Sequence, residues 1–176
     1  MSSHRINVSD IKNKANELRA GDTVLLSGIV YTARDAAHLR LAALLDAGEP
    51  LPFDLAGACI YYAGPTPAPA GAVIGSCGPT TSGRMDPFTP RLYDLGLAAT
   101  IGKGERSSEV VQAVARNGAV YLCAVGGAGA LAAKSVRSCE EVAFADLGCE
   151  SVKRLAVVEF PLVVGVDCHG RSLFRN

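Results

Sequence analysis

The longest apolar runs of this chain are short and broken by glycine, and the hydrophobic period changes from run to run. That pattern constrains the fold more than any single motif. A bilayer span needs about 20 consecutive apolar residues, so these runs read as strands and one-sided helices. Thr23–Thr32 puts Val24, Leu26 and Val30 on one face of a strand, with Gly28 among them. Arg34–Ala47 switches to helical spacing, with Ala37, Leu41, Leu44 and Leu45 as its apolar stripe and Gly48 as its stop. Leu55–Ala63 is expected to be a strand, Ala72–Ser76 a short strand, Asp86–Leu95 a helix and Ala98–Ile101 a strand. Ser107 caps a helix over Glu109–Asn117 that turns Val110, Val111 and Val114 inward and ends at Gly118. Ala119–Val125 is a further strand.

Strands gather in the last third: Ser135–Val142, Ala156–Phe160, Leu162–Val166, and one through Phe174 after a turn at Asp167-Cys168-His169-Gly170. Alternating elements followed by clustered strands predict an α/β layered domain with a mixed sheet. The length, 176 residues, suits one domain spanning 1–176. Within it, Ser9 caps a short helix through Leu18 that Gly21 ends, and 1–20 is expected to pack loosely. The Pro-rich stretch Gly64–Gly71 reads as a hairpin-like connection inside the domain.

Charge excludes several roles. The 17 basic and 17 acidic residues cancel, which speaks against nucleic acid or an anionic membrane as partner. Met1-Ser2-Ser3-His4-Arg5 leads into no apolar signal core, so a cytoplasmic location is expected. The six cysteines are widely spaced without a C-x-x-C pair, so no metal site is expected from this chain alone. Cys77 is the one to watch, because it adjoins the densest motif.

That motif is Gly75-Ser76-Cys77-Gly78-Pro79-Thr80-Thr81-Ser82-Gly83-Arg84. Its glycines let backbone N–H groups face one point, its hydroxyls add donors, and Arg84 offers a fork that matches a carboxylate. It lacks the P-loop pattern. Gly102-Lys103-Gly104 places a compact cation where backbone can approach a ligand, or else forms a tight turn with a solvated Lys. In Tyr31-Thr32-Ala33-Arg34-Asp35, Arg34 opposes the helix dipole, which a ligand carboxylate explains, as does simple pairing with Asp35. His38, one turn on, could face the same site. Gly126-Gly127-Ala128-Gly129 suits close backbone packing better than a dinucleotide.

Gly78–Met85, taken with Thr32-Ala33-Arg34-Asp35-Ala36-Ala37-His38, Gly64-Pro65, Gly102-Lys103-Gly104 and Ala145-Asp146-Leu147-Gly148, resembles the beta subunit, or C-terminal domain, of class I fumarate hydratases. L-tartrate dehydratase and mesaconate-type hydratases share the resemblance, which runs from about Gly21 to Phe174. It implies a swivelling β/β/α domain that closes over a dicarboxylate. It also implies an alpha–beta hetero-oligomer, inactive as the beta chain alone, whose 4Fe–4S cluster sits on the alpha subunit. By the same resemblance Arg34 and Arg84 bind substrate carboxylates, Lys103 makes a further substrate contact and takes part in catalysis, and Thr80 transfers the proton beside the hydroxyl of Thr81. The run Thr80–Thr89 is closer to the fumarate branch. Two other classes use the same cluster differently: a small-anion binding domain without turnover, and an assembly subunit whose cluster serves an interface.

Overall fold

The computed structural model describes residues 1–125, 127 and 129–174. Among these, seven strands form one mixed sheet: β1 (Ser3–Asn7), β2 (Thr23–Thr32), β3 (Cys59–Tyr61), β4 (Ala99–Gly102), β5 (Val120–Cys123), β6 (Val136–Ala143) and β7 (Val152–Val166). The helices are α1 (Ile11–Lys14), α2 (Asp35–Ala47), α3 (Thr89–Asp94), α4 (Ser108–Arg116) and α5 (Gly129–Lys134). No described helix is long and apolar enough to cross a membrane.

The strand order is β1-β2-β3-β4-β5-β7-β6, and β7 also pairs with β2. β1 to β5 run parallel, whereas β7 is antiparallel to β2, β5 and β6. This is the mixed, layered α/β architecture expected. Side-chain alternation produces the layers. Cys59 and Tyr61 of β3, Ala99 and Ile101 of β4, and Val120 and Leu122 of β5 join Leu155, Val157 and Leu162 of β7 in one core. The intervening Ile60 and Tyr121 turn to the other side, where they meet Ala37 and Leu41 of α2, Leu92 of α3 and Val110 and Val114 of α4. The parallel strands thus share one core with β7 and with Ile11 of α1 and Ala132 of α5, and a second core with α2, α3 and α4.

Several elements differ from expectation. Residues 1–20 are not loosely packed. β1 is hydrogen-bonded along β2, and Ile6, Val8, Ile11, Ala15 and Leu18 are buried. Two buried carboxylates pin the segment: Asp22 accepts from Ser2 N at 2.7 Å and Arg19 N at 3.1 Å, and Asp167 accepts from Ala20 N at 3.1 Å. The helix predicted after Ser9 is α1 between short 3-10 turns; Asn7 caps the first of those turns by accepting from Ser9 N, and Ser9 caps none of them. Ala72–Ser76 is no strand. Thr66 N to Ser76 O (3.0 Å) and Gly75 N to Thr66 O (3.2 Å) close the Pro-rich stretch as a hairpin-like loop. The strands predicted at 156–160 and 162–166 are one strand, since Pro161 lies opposite Leu25 without interrupting β7. The predicted final strand shrinks to one bridge between Ser172 and Val166.

Candidate active site

Ligands of open α/β sheets gather at the carboxyl ends of parallel strands, and the predicted residues lie there. β2 ends at Thr32 and delivers Arg34, β3 ends at Tyr61 and delivers Gly64, and β4 ends at Gly102 and delivers Lys103. The 78–85 loop is stitched between β3 and β4. Thr80 N donates to Tyr62 O at 2.6 Å, Thr81 bridges Lys103, and Ser82 N donates to Lys103 O at 2.9 Å. A 3-10 turn over Ser82–Met85 then carries Arg84.

Glycine is needed where these elements touch. A Cβ on Gly102 would stand 1.9 Å from Ser82 Oγ, and one on Gly64 would stand 3.1 Å from Arg34 Cδ. Both glycines let side chains lie across strand exits. Gly129 has a related role: a Cβ there would meet Ser76 Oγ at 2.3 Å and Gly78 N at 3.0 Å. That is the close packing expected of the 126–129 turn, although Gly126 and Ala128 lie outside the described residues.

Arg34 occupies the N-cap position of α2 in extended backbone. Its Nε donates to Glu150 Oε1 at 3.1 Å and lies 3.4 Å from Asp35 Oδ2. Arg84 grips the same Asp35 bidentately, Nε to Oδ1 at 2.9 Å and Nη2 to Oδ2 at 2.6 Å. Arg34, Arg84 and Asp35 therefore form one cluster, closed by Glu150. Thr80 is buried, Thr81 exposed and Lys103 half-buried. Among the described residues no protein partner meets the Thr80 hydroxyl or Lys103 Nζ.

His38 does not join the crevice. It is buried beside Tyr62 and Phe88, and its Nδ1 donates to the Arg34 carbonyl at 3.1 Å. Among the described residues its Nε2 has no hydrogen-bond partner. Burial, with a smaller contribution from Arg106, pushes its pKa down to about 4. Cys77 is buried too, and desolvation pushes its thiol up to about 12, so it is a packing residue rather than a nucleophile.

Two contributors carried no sequence signal. Arg106 precedes a helix cap as an ordinary surface arginine would, yet it is buried. Its Nε donates to Asp86 at 2.7 Å, Nη1 to Thr100 at 3.1 Å and Nη2 to Thr89 at 3.0 Å, and its guanidinium lies 4.7 Å from the centre of the Tyr121 ring. Asp86 also accepts from Ser107 N at 2.7 Å, which ties the 78–86 loop to the 103–107 loop. Glu150 is the second, 116 positions from its partner Arg34.

No three His, Cys, Asp or Glu side chains converge among the described residues. The donor set here, arginine, lysine and threonine, suits an anion and not a metal cluster. The geometry defines a class: a layered α/β domain that carries arginine, lysine and threonine side chains at its parallel strand ends. The profile of the Fumarase C-terminus family matches residues 1–176, and the chain belongs to that family. It is 42% identical over 171 residues to a putative L(+)-tartrate dehydratase subunit beta of Methanocaldococcus jannaschii, covering 94% of this chain and 88% of that one. It is 37% identical over 171 residues to fumarate hydratase 2 of Leishmania major, covering 96% of this chain but 30% of that protein. With the anaerobic class I fumarate hydratase of Escherichia coli it shares 41% identity over 153 residues, 86% of this chain and 28% of that one. The chain thus spans about a third of the fumarate hydratases it matches.

Proposed function

We propose that this chain is the beta subunit of an iron–sulfur-dependent hydro-lyase that interconverts fumarate and (S)-malate by reversible hydration. It works with an alpha subunit that carries the 4Fe–4S cluster. This reading is supported by membership of the family and by two local arrangements: Arg34 and Arg84 share Asp35, and the loop that carries Thr80 and Arg84 is hydrogen-bonded to Lys103.

Dehydration of a 2-hydroxy dicarboxylate removes a weakly acidic carbon-bound proton and expels hydroxide. When bound by the partner, the cluster supplies Lewis-acid activation of the leaving oxygen. Arg34 and Arg84 orient the dicarboxylate and stabilise the charge that spreads into a carboxylate as the proton leaves. Lys103 adds a compact cation. In this reading the Thr80 hydroxyl moves the proton. A threonine hydroxyl is neutral at pH 7 and needs an activating group, and no carboxylate or imidazole of the described residues hydrogen-bonds it.

A second reading, L-tartrate as substrate, is favoured by the 42% identity to the putative L(+)-tartrate dehydratase subunit beta. Anaerobic assay of the assembled enzyme with fumarate and L-tartrate side by side decides between them. Faster fumarate turnover supports the first reading, and faster tartrate turnover the second. Thr80→Ala should then lower kcat by about 100-fold with KM little changed; near-normal turnover removes Thr80 from the proton-transfer role.

A further inference from the structure

We propose that Asp35 and Glu150 are positioning residues that hold the inner edges of the two site arginines, so that their outer nitrogens present a preformed double fork to a dicarboxylate. This deepens the function proposed above and rests on Arg34 and Arg84 binding substrate. Arg84 gives Nε and Nη2 to Asp35, at 2.9 and 2.6 Å. Arg34 gives Nε to Glu150 at 3.1 Å and shares Asp35 Oδ2 at 3.4 Å. No protein acceptor among the described residues meets Nη1 or Nη2 of Arg34, or Nη1 of Arg84. Each guanidinium is therefore held on its Nε side by a carboxylate, with the Arg84 side chain half exposed and the Arg34 side chain about a third exposed.

The carboxylates are themselves fixed. Asp35 is the first residue of α2, and Glu150 Oε1 also accepts from Ala36 N at 3.2 Å, so both are anchored to the first turn of that helix. Two guanidiniums this close repel unless negative charge lies between them. Asp35 Oδ2, in contact with both, supplies it. The four side chains sum to zero charge, so selectivity arises from fork geometry and not from a general positive field. Holding a long side chain in its binding rotamer before the ligand arrives lowers the entropic cost of association.

The test reads positioning and binding separately. In the isolated full chain, the 15N–1H signals of Arg34 Nε and Arg84 Nε are expected to be sharp and slowly exchanging. Asp35→Asn should broaden that of Arg84 and Glu150→Gln that of Arg34, so that failure of one variant to fold leaves the other as the test. In the enzyme assembled with its cluster-bearing partner, each variant should raise the inhibition constant for succinate by at least about tenfold. That for acetate should move by less than about threefold, because one carboxylate does not need both forks. Unchanged arginine signals, or equal loss of succinate and acetate, overturns the inference. A wild-type assembly that hydrates no fumarate counts against the function proposed above and leaves the arginine signals to judge the positioning role.

Discussion

Gly102→Ala puts the packing at the strand exit under direct strain. A methyl at Gly102 would meet Ser82 Oγ at 1.9 Å and Tyr62 Cδ2 at 2.9 Å, both far inside van der Waals contact. Neither neighbour yields easily. Ser82 is fully buried and hydrogen-bonded to the Tyr121 hydroxyl at 2.9 Å, and Tyr62 is fully buried as well. Relief requires Ser82 to rotate away from Tyr121, or the 78–85 loop to separate from Lys103. Overpacking costs about 1–3 kcal/mol, and a lost buried hydrogen bond adds about 1 kcal/mol. Together these predict a loss of about 2–4 kcal/mol, or a Tm lower by roughly 5–15 °C for a chain of this size. Urea denaturation reads the change as a lower midpoint at constant slope. The double variant Gly102→Ala, Ser82→Ala removes the closest atom and should recover more than half of the loss. A single variant within about 0.5 kcal/mol of the wild type, or a double variant whose losses simply add, refutes the reasoning.

Other outcomes follow from the buried groups. Burial lowers the His38 pKa from 6.5 to about 4, so between those values the unfolded chain binds the extra proton. Stability is then full above about pH 6.5 and falls as pH drops toward 4, by up to about 1.4 kcal/mol per pH unit; His38→Gln should flatten that slope in a denaturation series, and equal slopes count against it. Arg106→Ala leaves Asp86 without its buried partner and should cost about 3–5 kcal/mol in thermal unfolding, whereas a loss below about 1 kcal/mol contradicts the role given to Arg106. Native alkylation with iodoacetamide should label exposed Cys149 and spare buried Cys59 and Cys77 until the chain unfolds, because burial keeps both thiols protonated; labelling of Cys77 at the rate of Cys149 refutes that.

Elements with local stop signals were legible in the sequence. β2 begins and ends where its alternation does, α2 stops at Gly48 in the left-handed conformation, and Ser107 caps α4 by accepting from Val110 N. The turns that carry Arg34, Thr80, Arg84 and Lys103 were legible for a related reason, since glycines and hydroxyls mark them, although the strand expected before the 78–85 loop did not form. What stayed hidden depends on long-range pairing. β1 is five mostly polar residues whose order comes from β2, and β7 runs through Pro161 because its partners sit on other strands. Arg106 and Glu150 look like surface charges until the fold brings Asp86 and Arg34 to them.

In the function proposed above, this chain holds the substrate while a second chain supplies the cluster. Anaerobic conversion of fumarate to malate, by this chain alone and mixed with a reconstituted cluster-bearing alpha-type partner, tests it most directly. Activity in the mixture, none in either component, and its loss on Arg84→Ala is the predicted result. Conversion by this chain alone, or none of fumarate or tartrate in a mixture whose cluster is spectroscopically intact, contradicts it.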